Sequence, residues 1–452
     1  MNNNYNSDTI CALATGGGIS AIALLRISGD RSIEIVNKVF SKNLTKKESH
    51  TVHFGNIIID NKIIDEVVIT IFKKNQSFTG EETVEISCHG SKYIQNKILE
   101  ILINNGIRLA NPGEYTMRAF KNGKLDLSQA ESIADLIESE SEAAHKTAIQ
   151  HLRGGFSKKL KLLRQKLIDF ASLIELELDF SEEDVEFANR NQLNNLLNEL
   201  KSEINVLIDS FKLGNVIKNG IPVAILGAPN VGKSTLLNLL LNEDKAIVSD
   251  IAGTTRDSIE DEINIKGYNF RFIDTAGIRK TDDTIENLGI EKTINHADKS
   301  NIIIYLIDAS QNIDNQLDNI KNLSKENQKK IIKVINKIDL NKNLDISTSE
   351  HILISAKENF GTDELKNRIF DFTNLNALDN NNTIVTNQRH YEQLKKTLSE
   401  LKIAIEGLNN GLSGDLLAIN IKQSLFHLGL ITGEVTSDDL LSNIFGKFCI
   451  GK

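Results

Sequence analysis

Gly227-Ala228-Pro229-Asn230-Val231-Gly232-Lys233-Ser234 lies midway along a chain of 452 residues and fits the pattern G-x-x-x-x-G-K-[ST]. In that pattern the backbone N–H groups of a glycine-rich loop cradle phosphates. The lysine reaches the β- and γ-phosphates, and the hydroxyl ligates Mg²⁺. The apolar run Ile221 to Leu226 before it reads as a buried strand, and Leu236 to Leu241 after it continues as a helix. Outward from this loop, Asn336-Lys337-Ile338-Asp339 follows a second apolar run, Ile331 to Ile335. That places it at the C-terminal end of a parallel strand, where ligands bind in open α/β sheets. The Asp339 carboxylate can accept two N–H donors from a guanine edge. Adenine has no such pair, and a site built for hydrogen bonds rejects what cannot make them. Alone, the first motif could be a fortuitous spacing and the second a polar turn; their order and strand context favour a guanine-nucleotide site.

Three further segments complete the set in order. Gly253-Thr254-Thr255-Arg256-Asp257 follows the phosphate-loop helix, where a threonine can complete Mg²⁺ coordination. Asp274-Thr275-Ala276-Gly277 ends the strand Phe270 to Ile273, with the aspartate near the metal and the glycine near the γ-phosphate. Ser355-Ala356-Lys357 follows the strand Ile352 to Ile354 and would pack against the base. In Ras-type GTPases a glutamine after the switch glycine orients the attacking water. Here Ile278 stands in that place and can neither donate nor accept a hydrogen bond, so something else must position the water. Arg279, Lys280, Asp282, Asp283 and Glu286 lie just downstream, and sequence physics does not choose among them.

Size allows about three domains. Hydrophobic content of 40% supports real cores, and no stretch approaches the roughly 18 apolar residues of a membrane span. Three cysteines, Cys11, Cys88 and Cys449, lie far apart without C-x-x-C spacing, which fits a reducing cytosol better than a zinc site or disulfide framework. The start of the chain has neither a basic n-region nor an apolar core, so a cytoplasmic location is expected. The net charge of −9 gives no overall basic footprint for nucleic acid. The acidic stretch Glu175 to Phe187 reads as a solvated face, so an RNA substrate would need a local basic patch or a partner.

The fold class expected is α/β plus all-α. Residues 1–122 read as a mixed α+β domain, with strands at Ala21 to Ile27, Ile63 to Phe72 and Thr83 to Cys88, and helices at Asp30 to Phe40 and Tyr93 to Ile103. Residues 123–217 turn helical. Phe156, Leu160, Leu163, Leu167, Phe170 and Ile174 alternate steps of four and three, and Leu193, Leu196, Leu197, Leu200, Ile204, Leu207 and Phe211 form a second stripe. Residues 218–376 read as a Ras-like phosphate-loop G domain, the Asn-rich stretch Asn374 to Asn387 as a linker, and 377–452 as helical again. Helices on both sides of an α/β unit suggest an inserted G domain and one discontinuous helical domain. Two independent helical pieces are the alternative.

Over essentially its whole length the chain resembles the MnmE (TrmE) family of tRNA-modification GTPases. The motifs that carry the likeness are Ala23-Leu24-Leu25-Arg26-Ile27-Ser28-Gly29, Ser77-Phe78-Thr79-Gly80-Glu81, Glu85-Ile86-Ser87-Cys88-His89-Gly90, Pro112-Gly113-Glu114-Tyr115-Thr116-Met117-Arg118-Ala119-Phe120 and Lys124-Leu125-Asp126-Leu127-Ser128-Gln129-Ala130. To these add Asp250 to Asp257, Gly433 to Leu441 and the terminal Phe448-Cys449-Ile450-Gly451-Lys452. The resemblance implies an N-terminal folate-binding and dimerisation domain and a homodimer whose G domains meet across their switch regions. It also implies an FAD-containing partner of the MnmG (GidA) type. Together these install a carboxymethylaminomethyl or aminomethyl group at C5 of the wobble uridine of certain tRNAs, with one carbon from a methylene-tetrahydrofolate. By motif, GTP would lie along Asn230, Val231, Gly232, Lys233, Ser234 and Thr235, the loop Ser249, Asp250, Ile251, Ala252, Gly253, Thr254 and Thr255, then Asp274 to Gly277, Asn336, Lys337, Asp339 and Ser355 to Lys357. K⁺ would be held by Asn230, Ser249, Ile251 and Thr254, and Mg²⁺ by Ser234 and Thr255. Glu286 would orient the water and Lys233 assist catalysis. Arg26, Glu85, Lys124 and Lys452 match positions binding a 5-formyl- or 5,10-methylene-tetrahydrofolate. Cys449 would lie beside that pocket, with either a chemical role or a small buried apolar one. Two rival functions remain at this stage, an RNA-associated ribosome-assembly GTPase and a folate-binding scaffold that does not hydrolyse GTP.

Overall fold

The computed structural model of the chain describes residues 8–179, 190–244, 261–273, 296–328, 330–341, 351–373 and 383–451. By contact density it forms two units: residues 1–137 with 150–197 and 399–452, and residues 138–149 with 198–398.

In the first unit, β1 (Ile10–Leu13), β2 (Ile22–Ser28), α1 (Ser32–Val39), β3 (Thr51–Ile59), β4 (Lys62–Phe72), β5 (Thr83–His89), α2 (Lys92–Asn104), β6 (Arg108–Leu109) and α3 (Glu114–Lys121) follow one another. The strands make one mixed sheet in the order β3-β4-β5-β2-β1-β6. Strict alternation sets its two faces. Ala23, Leu25 and Ile27 on β2 and Val84, Ile86 and Cys88 on β5 join one core with Ile35 and Val36 of α1 and Ile98 and Leu102 of α2. The intervening residues, Arg26 and Glu85 among them, fall on the opposite face, and β2–β5 register sets these two directly across from each other. Strand β3 escapes the sequence reading because His53, Gly55 and Asn56 interrupt its apolar pattern; its ladder with β4 makes it a strand.

Helix α3 is tied down by charge as well as by the apolar contacts of Tyr115, Met117 and Phe120. Arg118, 3% exposed, donates to Glu114 Oε1 at 2.9 Å, to Asp8 Oδ1 at 2.7 Å and to Glu81 at 3.1 Å. Glu114 also receives Arg108 at 2.7 Å. Burial alone would raise the Glu114 pKa, but the hydrogen bonds from Arg108 and Asn111 and the Arg118 charge outweigh it and hold the carboxyl below its ordinary range.

Helices α4 (Leu127–Ile137), α5 (Glu142–Leu152), α6 (Gly155–Asp179) and α7 (Arg190–Asn219) come next. All six seam residues of α6, Phe156 to Ile174, are buried, and α6 packs along the helix Gly414–Thr432. The chain's last helix, Asp438–Phe445, seats Leu441, Ile444 and Phe445 against Leu127 and Ala130 of α4. The chain beyond that helix therefore returns to the start of α3: Gly113 N–H donates to the Cys449 carbonyl at 3.4 Å.

In the second unit, β7 (Ile221–Gly227), α8 (Lys233–Asp244), β8 (Asp261–Ile265), β9 (Tyr268–Phe272), β10 (Ile302–Asp308), β11 (Ile331–Asn336) and β12 (Ile352–Leu353) build a sheet in the order β12-β11-β10-β7-β9-β8. All pairs are parallel except the β8–β9 hairpin. Every residue of β10 is buried, as a strand covered on both faces requires. The chain reaches β7 from α7 and later passes α7 again. Val385 N–H donates to Ser210 Oγ at 3.0 Å, and Tyr391 stacks on Phe211 at 4.3 Å between ring centroids. Among the described residues no helix is long and apolar enough to cross a membrane.

Candidate functional site

The carboxyl ends of β7, β10 and β11 converge on one spot. Strand β7 delivers the phosphate loop, which turns through Gly227 (φ 146°), Asn230 (φ 60°) and Gly232 (φ 99°). Gly232 cannot be otherwise: a Cβ there would collide with the Asn336 side chain. Asn230 is the one non-glycine of these three in the left-handed region, which asparagine tolerates better than most residues. Lys233, first residue of α8, curls back so that Nζ donates to the Gly227 and Ala228 carbonyls, each at 2.9 Å. Burial pulls its amine below the ordinary lysine range.

Asn336 is the brace of the site. It is 2% exposed; its Nδ2 donates to the Val231 carbonyl at 2.9 Å, and its Oδ1 accepts the Ala356 N–H at 3.0 Å. One side chain thus fixes the phosphate loop to the loop after β12. Lys337 (φ 63°) stretches to the Asn230 carbonyl at 2.7 Å, and Ser355 Oγ donates to Asp339 Oδ1 at 2.6 Å. The second Asp339 oxygen carries no hydrogen bond among the described residues. The arrangement offers phosphates a loop of N–H groups and offers a base one oriented carboxylate.

Asp308, at the end of β10, was not among the residues singled out from sequence. Its Oδ2 accepts Lys337 Nζ at 2.7 Å, and its Oδ1 accepts the Ser310 N–H and hydroxyl at 2.9 and 2.6 Å. Burial would raise its pKa, but the bonds from Lys337 and Ser310 outweigh it and hold the carboxyl low. The signal was available: an acid closing the wholly apolar run Ile302 to Ile307 sits where α/β sheets bind ligands.

In the first unit, Arg26 Nε and Nη2 both reach Glu85 Oε1 at 2.8 Å, and Arg26 Nη1 donates to the Gly451 carbonyl at 3.4 Å. Tyr115 OH donates to the Arg26 carbonyl at 2.7 Å. Glu85 Oε2 has no hydrogen bond among the described residues, so a ligand N–H can use it. Two of the four folate candidates are therefore brought together beside Gly451. The third, Lys124, donates to the Asn75 carbonyl at 2.6 Å. Cys449 is exposed, whereas burial pushes Cys11 up to about 12 and Cys88 up to about 11. Ser249 to Thr255, Asp274 to Gly277, Ile278 to Asp283, Glu286 and Lys452 lie outside the described residues, as does the acidic stretch from residue 180 onward.

Two family models match the chain: GTP-binding protein TrmE N-terminus over residues 9–124, and MnmE helical domain over residues 127–449. The tRNA modification GTPase MnmE of Flavobacterium johnsoniae is 53% identical over 99% of this chain and 100% of its own. The same-named proteins of Flavobacterium psychrophilum and Cytophaga hutchinsonii are 54% and 52% identical, over 98% and 99% of this chain and 99% and 98% of theirs. The chain belongs to the MnmE family of tRNA modification GTPases. The MnmE helical-domain match, residues 127–449, takes in the G-domain motifs as well as the C-terminal helices.

Proposed function

We propose that the protein hydrolyses GTP and couples that turnover to modification of the wobble uridine of tRNA at C5. The observation that carries the reading is the Asn336 bridge, which locks phosphate loop to base loop while Asp339 keeps one oxygen free for a guanine edge. Mg²⁺ would be held by Ser234 and Thr255. Ser234 opens the first turn of α8 beside Lys233, and its hydroxyl carries no hydrogen bond among the described residues. K⁺ would be held by Asn230 with Ser249, Ile251 and Thr254. Asn230 fits: its carboxamide is exposed at the phosphate loop and carries no hydrogen bond among the described residues. A bound monovalent cation supplies positive charge where an arginine finger would otherwise lie, which meets the lack of a glutamine at Ile278. Glu286 then orients the water.

The N-terminal sheet is the folate site in this reading, with Arg26, Glu85, Lys124 and Lys452 as its contacts. The homodimer through that domain, the FAD-dependent MnmG-type partner, the inserted G domain over 218–376 and the cytoplasmic location complete the proposal. The return of the chain to α7 at Ser210 and Phe211 supports the insertion.

GTP turnover in K⁺ is expected to exceed that in Na⁺ by about tenfold or more, a part of the roughly 10³–10⁵-fold that charge at this place can supply. Glu286→Ala is expected to lose about two decades of the K⁺ rate. Equal, negligible rates in both salts would remove the mechanism, and unchanged tRNA in a deletion strain would favour the ribosome-assembly reading. For the folate site, Glu85→Gln is expected to weaken binding of 5-formyl-tetrahydrofolate about tenfold, by loss of a charge-assisted bond. Calorimetry measures it, with GTP turnover unchanged; equal affinity would take Glu85 out of the site.

A further inference from the structure

Asn230 and Lys337 both hold left-handed backbone, at φ 60° and 63°, and a single ammonium connects them. Residues other than glycine persist there only when their surroundings hold them. The surroundings of Lys337 lead to Asp308. This residue is held at both backbone and side chain. Ser310 occupies one oxygen, and Gln316, itself buried, accepts the Asp308 N–H at 2.9 Å and donates to its carbonyl at 3.1 Å. The remaining oxygen points at Lys337 Nζ, 2.7 Å away. Lys337 in turn reaches the Asn230 carbonyl at the same distance. We infer that Asp308 is a positioning residue for the monovalent-cation site: acting through Lys337, it fixes the Asn230 backbone and so aims the Asn230 carboxamide. The inference rests on the K⁺ reading above.

Two physical effects act in the same direction. Asp308 pre-orders Asn230, so a cation need not supply the ordering free energy when it binds. It also neutralises an ammonium that contacts the very residue proposed to ligate a cation, and like charges at such a place oppose binding. Asp308→Asn keeps the shape and an acceptor for Ser310 but removes the charge. The K⁺ concentration for half-maximal GTP turnover is expected to rise about three- to tenfold, the size of effect produced when a charged acceptor is exchanged for a neutral one. Turnover at saturating K⁺ should stay within about twofold of the parent, since Asp308 touches no reacting atom.

A binding readout accompanies the rates: release of a fluorescent, non-hydrolysable GTP analogue measured across a K⁺ titration. Its midpoint should move by the same factor as the turnover midpoint. Asp308→Glu, which restores the charge, should bring both midpoints most of the way back. In a Lys337→Met background Asp308→Asn should add no further shift. An unmoved midpoint in a K⁺-dependent parent, or an undiminished shift without Lys337, overturns the role of Asp308 alone. A parent indifferent to K⁺ in both assays overturns the cation reading and this inference with it. If Asp308→Asn fails to fold, Asp308→Ser replaces it in the parent and Lys337→Met backgrounds: an unmoved midpoint, or a displacement that persists without Lys337, overturns the role.

Discussion

Asp339→Asn is expected to turn a guanine-nucleotide protein into one that prefers xanthine nucleotides. Asp339 has one oxygen held by Ser355 Oγ at 2.6 Å and presents the rest of the carboxylate to the base. Guanine offers it two N–H donors, each bond to a charged acceptor worth about 1.5–3 kcal/mol. The substituted amide keeps one acceptor but sets its N–H against the guanine amino group. Losing one bond and leaving that donor unpaired costs about 2.5–6 kcal/mol, or about two to four decades of GTP affinity. Xanthine carries a carbonyl where guanine carries its amino group, and an asparagine N–H can donate to it. Competition between GTP and XTP for the variant reads the outcome directly. Retention of GTP preference would mean that Asp339 does not face the base. The brace at Asn336 stays intact in this variant, so a general loss of folding is not the expected explanation for any change.

Arg118→Met is expected to destabilise the first unit by several kcal/mol. The guanidinium is buried with Glu114, which is 1% exposed, and shares Asp8 and Glu81. Removing one member of a buried ionic group leaves its partners' charge uncompensated, which costs about 3–5 kcal/mol. Calorimetry should show an endotherm at lower temperature while GTP binding at the second unit persists. A melt superimposable on the parent's would show that the network contributes nothing net. The same network fixes the sign of the acid response. For Asp8, as for Glu114, burial would raise the pKa, but bonds to Arg108 and Arg118 hold it below the ordinary value. A depressed carboxylate adds stability above its unfolded pKa and loses it as pH falls through the folded one. The stabilisation is therefore complete above about pH 5 and fades below about pH 4, and Arg118→Met should flatten that acid limb.

Where one side chain and its own strand carry the information, the sequence reading was close. Strand β7 ends one residue beyond the expected Leu226, and α8 begins at Lys233, because an apolar run followed by a glycine-rich turn has little other use in a parallel sheet. The α6 seam is buried residue for residue, since a 3.5-residue period leaves only one face to cover. Strands β1 and β6 were not legible. One is four residues long and the other two, too short for a period to register, and they become strands by pairing with each other and with β2.

Sequence by itself determined the chemistry on offer: a phosphate loop, a guanine-reading carboxylate, and a chain whose beginning and end carry the marks of the MnmE family. Only tertiary structure decided what those groups do to one another. Asn336 turned out to link two loops across the site, Arg26 to face Glu85 with Gly451 beside them, and Asp308 to hold Lys337. The physical reason is separation. Arg26 and Gly451 stand 425 residues apart, and Asp308 and Lys337 stand 29 apart. Contacts between residues so distant follow from which strands pair and in what register, and no local pattern of residues specifies that.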